Sequence, residues 1–198
     1  MTAERALEEL QGFIQTYKTL TEKEKFGLAR VFQEQTGGKL SPFNSPSPVC
    51  VGVIPVNGPD GEVGFLGVRR AIAPCIGEVA LAGGFLGTNE DPIAGVVREV
   101  LEETGIAIAP EAFVPSNVAR MGHNNNLLMF FISEDVLSFE VLQEASRNLH
   151  KTDGEASELV FITPETALCF PLHQEAVNMA FEEYGFTPRI QPAKSFKP

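Results

Sequence analysis

The chain predicts an α/β fold in which a mixed sheet is covered by helices on both faces and preceded by a helical hairpin. Three observations lead there. Short apolar, β-branched runs bounded by turn residues alternate with helix-period segments, without the strict βαβ regularity of a doubly wound parallel sheet. A length of 198 residues suits one core with a small appendage, at roughly 150 residues per domain. Hydrophobic residues make up 43% and charged residues 21%, near ordinary globular usage, which excludes wholesale disorder and a coiled-coil rod.

Taken in order, Leu7, Leu10, Phe13, Ile14 and Tyr17 recur at helical spacing across residues 2–18. Thr21 and Glu24 form a capping box that opens a second helix through Gln35, and Gly37-Gly38 stops it. The Pro- and Ser-rich stretch 41–48 reads as a linker, so the chain divides into a helical extension at 1–45, a main domain at 46–186 and a mobile tail at 187–198. In the main domain, Val49–Val56 is a β-branched run, Asn57–Gly61 a dense turn signal and Glu62–Ile72 the returning strand of a hairpin. A short strand at Val79–Leu81 leads to the pair Gly83-Gly84. Strands are predicted at Phe113–Met121, Leu127–Ile132 and Leu159–Ile162, and helices within 135–148 and over 172–184.

Fifteen Lys and Arg against 26 Asp and Glu give a net charge of −11, which repels a phosphate backbone and disfavours nonspecific nucleic-acid binding. An acidic protein that handles a polyphosphate needs positive charge from elsewhere, and bound divalent cations are the usual source. No apolar run is long enough to span a membrane and the N-terminus lacks a signal-peptide layout, so a cytoplasmic chain is expected. Cys50, Cys75 and Cys169 are scattered and odd in number, and read as buried free thiols rather than a disulfide framework or zinc site.

The strongest local pattern is a helix over 92–104, opened by Asp91 as N-cap with Pro92 at its first position and closed by Gly105. Ile93, Val96, Val97, Val100 and Leu101 share an arc of about 140° and face a core. Beside that stripe Glu99, Glu102 and Glu103 crowd one another at i,i+3 and i,i+4 spacing, with Arg98 the nearest cation in sequence. Hard oxygen ligands on a rigid helix suit Mg²⁺ or Mn²⁺; a solvated acidic face is the plainer reading of the triplet alone.

The surroundings of the triplet decide between these. Gly84, Glu90 and the run Arg98-Glu99-Val100-Leu101-Glu102-Glu103-Thr104-Gly105-Ile106 fall in the register G-x5-E-x7-R-E-U-x-E-E-x-G-U, where U is bulky aliphatic. Seven fixed residues in register arise by chance on the order of 10⁻⁸ per starting position. The chain thus resembles the Nudix hydrolase family, matching its signature box at every defined position. Arg69 through Phe85 is also similar to the usual approach to the box, although Val79 and Ala82 stand where many members carry Trp and Pro. Markers of the ADP-ribose, NADH and coenzyme A subfamilies are missing, so the resemblance leaves the substrate open.

The resemblance implies a Nudix-type α/β/α sandwich and assigns metal ligation to Glu99, Glu102, Glu103 and the backbone carbonyl of Gly83. It implies Mg²⁺, with Mn²⁺ as a substitute, and gives Glu90 and Arg98 a supporting ion pair that orients Glu99. The general base in many members is a Glu outside the box. Glu155 is the first candidate here, Glu158 the second, and Glu99 itself the alternative. The implied reaction is hydrolysis of a diphosphate linkage in a nucleoside diphosphate joined to another moiety, of ADP-ribose, dinucleotide or nucleotide-sugar type. A nucleoside triphosphate pyrophosphohydrolase and a catalytically silent nucleotide sensor are the alternatives. Arg69, Arg70 and Arg120 are the candidate phosphate holders, with at most one of the adjacent pair lining a cleft because neighbours in a strand point to opposite faces. Phe85 or Phe130 is a candidate to stack a nucleobase. His123, His150 and His173 lack metal-ligand spacing and read as surface or satisfied histidines. The apolar faces of residues 2–35 need cover, and a homodimer is the simplest way to supply it.

Overall fold

The structure, a computed structural model, describes residues 46–122, 125–149 and 154–183, together with 11–13, 15–21, 23–25, 27, 28 and 31. The chain divides into two compact units, Met1–Ser45 and Pro46–Pro198. In the first, residues 11–13 and 15–19 are helical. Its capping box is present: the Thr21 amide donates to Glu24 Oε2 at 2.8 Å and the Glu24 amide to Thr21 Oγ1 at 3.4 Å. The Gly37-Gly38 stop, the linker before Pro46 and the tail at 187–198 lie outside the described residues.

The second unit runs β1 (Ser47–Val53), β2 (Pro55–Asn57), β3 (Val63–Arg70), β4 (Val79–Ala80), β5 (Gly83–Phe85), α1 (Pro92–Thr104), β6 (Phe113–Met121), β7 (Asn126–Ser133), β8 (Leu137–Ser138), α2 (Phe139–Asn148), β9 (Ala156–Ile162) and α3 (Pro171–Glu183). One sheet has the order β5-β1-β7-β6, with β1 and β7 parallel and the other pairs antiparallel. In the other sheet β3 is central, with β2 and then β4 along one edge and β9 along the other, and β8 extends it parallel to β2.

Alternation along β1 explains the layering, because successive side chains in a strand point to opposite faces. Cys50 packs in the same apolar cluster as Val96 and Val100 of α1, whereas Val51 and Val53 pack with Ala176, Val177 and Phe181 of α3. β3 repeats this with Leu66 on the α1 side and Phe65 on the α3 side, where its ring meets Phe181 edge-on at 4.7 Å. A mixed α/β/α sandwich results, as the sequence predicts.

The single run Val49–Val56 is in fact two strands in different sheets, broken at Ile54 ahead of Pro55, and the hairpin partner of β3 is β2. Apolar periodicity is blind to such a change of sheet, since both segments are buried. The pair Gly83-Gly84 that follows the short strand itself opens a further strand, β5, and pairs antiparallel with β1.

Of the three histidines, His123 and His150 lie outside the described residues, and His173 is buried and satisfied. Its Nδ1 accepts the Leu81 amide at 3.1 Å, with the Phe130 and Phe170 rings beside it. Burial first, and the Arg70 charge second, push it down to about 3 from an ordinary 6.5. The unfolded chain therefore binds a proton here below pH 6.5 that the native chain refuses until about pH 3, so stability falls as pH drops through that window. At pH 4.5 this one group is expected to subtract about 2–3 kcal/mol. Thermal melts across pH 4 to 7 check this. His173→Gln keeps an acceptor for Leu81 and should flatten the profile; an unchanged slope would refute the assignment.

Candidate active site

The site is built on α1. The Asp91 carboxylate accepts the amides of Ile93 and Ala94, both at 3.0 Å, and Gly105 ends the helix in the left-handed region at φ 73° with its amide on Leu101 O. Both ends coincide with the predicted ones. The buried face differs: Gly95, Val96, Val100, Glu103 and Thr104 are covered, while Leu101 is 46% exposed. The helix thus turns its acidic edge, not Leu101, towards the protein.

Opposite that edge stands β5, and its glycines make the approach possible. A Cβ on Gly84 would fall 2.4 Å from Glu99 Oε2, so this carboxylate rests against bare main chain. The Gly83 amide donates to Glu103 Oε2 at 3.2 Å, and Glu103 is only 3% exposed.

Arg98 organises the remaining acids. Its Nε donates to Glu90 Oε1 at 2.8 Å, and its Nη2 to Glu90 Oε2 at 2.9 Å and to the Phe85 carbonyl at 3.0 Å. Its Nη1 donates to Glu99 Oε1 at 2.7 Å and to Glu102 Oε2 at 2.9 Å. Five acceptors match the five N–H donors of a guanidinium. The Gly87 amide adds a further bond to Glu90 at 2.7 Å.

The electrostatics separate these carboxylates. Glu90 is held down at about 2, by Arg98 first and by the Gly87 amide. Glu99 moves up despite its contact with Arg98, because burial dominates and the charges of Glu102 and Glu155 push the same way. Beneath them the Cys50 thiol is pushed up to about 11 by burial and by the charges of Glu90 and Glu99. Three carboxylates thus share the one guanidinium of Arg98 and could take further positive charge. A divalent cation would supply that charge, and carboxylates from one helical turn are the hard oxygen donors it takes, so the residues present fit such an ion. Among the described residues no three acidic, His or Cys side chains already converge as a ligand group, since Glu99 and Glu102 are turned onto Arg98.

The other predicted residues are distributed as follows. Glu155 is exposed just before β9, its carbonyl accepting the Ala71 amide at 2.7 Å, and its charge reaches Glu99. Glu158 is in an ion pair with Arg69, whose Nη1 also donates to Gly77 O at 3.0 Å. Arg70 donates to Pro74 O at 2.7 Å and lies over the Phe170 ring at 5.4 Å. The cation on Glu90, Glu99 and Glu102 is Arg98 rather than either of these. Phe85 is 59% exposed at the end of β5, whereas Phe130 is 1% exposed and belongs to the core, which removes it as a stacking surface. Side-chain placement of Arg120 lies outside the described residues. Sequence reasoning missed the two main-chain partners, Phe85 O and Gly87 N; no side-chain pattern marks them.

Among the described residues no helix is long and apolar enough to cross a membrane. No curated protein matches the sequence. The fold is similar to a MutT/nudix family protein from Enterococcus faecalis, at TM-score 0.57 and 18% identity over 93% of this chain and 76% of that one. It is similar to the NUDIX domain of Shewanella oneidensis NrtR, crystallised with ADP ribose, at TM-score 0.53 and 16% identity over 83% and 99% of the two chains. A bifunctional NMN adenylyltransferase/ADP ribose pyrophosphatase from Francisella tularensis, complexed with AMP and a manganese ion, gives TM-score 0.50 and 16% identity over 92% of this chain and 50% of that one. A sequence model of the NUDIX domain matches residues 46–182, most of the chain, and with the signature register on α1 this protein belongs to the NUDIX family.

Proposed function

We propose that the chain is a divalent-cation-dependent pyrophosphohydrolase that splits the diphosphate linkage of a nucleoside diphosphate joined to another moiety. The observation that carries this reading is the acidic edge of α1, seated on the β5 glycines and organised by Arg98. Glu99, Glu102 and Glu103, with the carbonyl of Gly83, would hold Mg²⁺ or Mn²⁺. Such an ion neutralises a diphosphate, polarises its phosphorus–oxygen bonds and lowers the pKa of an attacking water. Glu90 fixes Arg98 through two bonds, and Arg98 in turn sets the orientation of Glu99. The exposed ring of Phe85 beside this edge offers a stacking surface for a nucleobase.

Glu155 is the favoured general base, because it is solvent-facing just before β9 and its charge is felt at Glu99. Glu155→Gln is expected to lower kcat about 10²-fold with little change in KM, and Glu158→Gln to leave kcat within about threefold. Equal losses from the two would remove the distinction.

ADP ribose bound to the NUDIX domain of NrtR, and a 27mer DNA in another NrtR structure, favour a second reading as a nucleotide sensor. Turnover separates the two. The full chain is incubated with ADP ribose, dinucleotides, nucleotide sugars and nucleoside triphosphates, with and without Mg²⁺ or Mn²⁺, and released phosphomonoesters are measured. Cation-dependent release from a diphosphate-linked substrate supports the hydrolase. Nucleotide binding without turnover of any of them selects the sensor, and turnover confined to triphosphates moves the substrate class. The N-terminal helices are read as the cover of a homodimer, which light scattering of the full chain and of a chain lacking residues 1–45 would test.

A further inference from the structure

The loop between β3 and β4 and the segment entering α3 are drawn together by one guanidinium. Arg70 donates to the carbonyl of Pro74 at 2.7 Å and covers the ring of Phe170 at 5.4 Å. The residues that follow and precede these are Cys75 and Cys169. The same two segments are joined at the backbone: Cys169 N donates to Val79 O at 2.8 Å, Val79 and Leu168 form a parallel bridge, and Glu78 N returns to Cys75 O at 3.1 Å. Cys75, in the left-handed region at φ 65°, is partly buried against the cluster that contains Cys169, and Cys169 lies within electrostatic reach of Cys75. Both are free thiols, far apart in sequence and outside the acidic edge of α1.

We propose that Cys75 and Cys169 are a redox pair, closed to an intramolecular disulfide by hydrogen peroxide. The accessible thiol is Cys75, since Cys169 is buried. In the first step the Cys75 sulfur attacks the peroxide; a sulfur–oxygen bond forms, the oxygen–oxygen bond breaks, and water leaves behind a sulfenic acid. In the second the Cys169 sulfur attacks that sulfur; the disulfide forms, the sulfur–oxygen bond breaks, and the hydroxide leaves with the Cys169 proton as a second water. Two thiols lose two electrons and one peroxide gains them. Burial pushes the Cys169 thiol up to about 12, which makes it a slow attacker, and the Arg70 charge acts in the opposite sense. Nearness of its target compensates, because segments held together by Arg70 and the Cys169–Val79 bond raise the effective concentration of one thiol at the other.

The experiment treats the full chain with a small excess of hydrogen peroxide, denatures it, counts thiols with a maleimide mass tag and maps the peptides. The expected result is a fall from three free thiols to one, a single cross-link between the Cys75 and Cys169 peptides, Cys50 untouched, and full recovery with dithiothreitol. The oxidised chain should also melt at higher temperature, since the bridge closes a long loop of the unfolded chain. Cys169→Ser is expected to accumulate a sulfenic acid on Cys75 that reacts with dimedone, and wild type is not. A dimedone adduct on wild-type Cys75 as abundant as in Cys169→Ser, or loss of thiols through intermolecular cross-links or Cys50, would overturn the proposal.

Discussion

Replacing Glu103 with glutamine is expected to lower cation-dependent turnover about 10³-fold, or about 4 kcal/mol of barrier, while the protein stays folded. The residue is almost wholly buried, and one of its oxygens accepts the Gly83 amide. A glutamine oxygen can accept the same bond. What disappears is one negative charge from a group of acids that already repel one another, so the melting temperature should hold or rise. Glu99→Gln is expected to behave alike, because that carboxylate is also partly desolvated against main chain. Phosphomonoester release measured beside thermal melts checks both. Near-normal turnover in either variant would end the assignment of α1 as the ion-holding element.

The second large effect comes from two adjacent glycines that should fail in different ways. A Cβ on Gly83 would lie 2.3 Å from Cys50 O and 2.7 Å from Val51 Cα, both main-chain atoms of β1 that have no room to yield. Gly83→Ala is therefore expected to destabilise the fold by about 3 kcal/mol, through loss of the β1–β5 pairing. On Gly84 the obstacle is the Glu99 carboxylate, the end of a flexible side chain that can swing aside. Gly84→Ala should keep stability within about 1 kcal/mol of wild type and lower turnover about 10²-fold, because a displaced reacting group is costly even when the scaffold is sound. Chemical denaturation and kinetics on both variants test the contrast. Equal destabilisation by the two would show that the carboxylate is not what occupies the space over Gly84.

The element proposed to carry the chemistry was readable before any coordinates, because its signals are local. Asp91 marks the helix start by capping with its carboxylate, Pro92 by its missing N–H and Gly105 the end by its left-handed φ, and the spacing of Glu99, Glu102 and Glu103 follows from one helical period. Less local features were not readable. Gly83-Gly84 looks like a turn in any short window, and only the neighbouring strand makes it β5. Leu101 belongs to the apolar arc by angle, but the bare main chain of β5 admits the carboxylate edge and leaves Leu101 in solvent. The break at Ile54 is equally silent, since residues on either side are buried in different sheets. Phe130 shows the same gap: aromatic content says nothing of whether a ring lines a cleft or packs beside His173.

Arg98 meets four partners with every N–H it owns, and three of them are carboxylates. It thus behaves as a counterion tethered to the wall it neutralises. A tethered counterion is neither diluted away nor displaced by added salt, so the acidic wall keeps its form whatever the medium. On the proposed function, an incoming mobile ion would gain its place by exchange with a guanidinium rather than by condensing on naked charge, and its uptake should fall less steeply with ionic strength than the net charge of the protein would suggest.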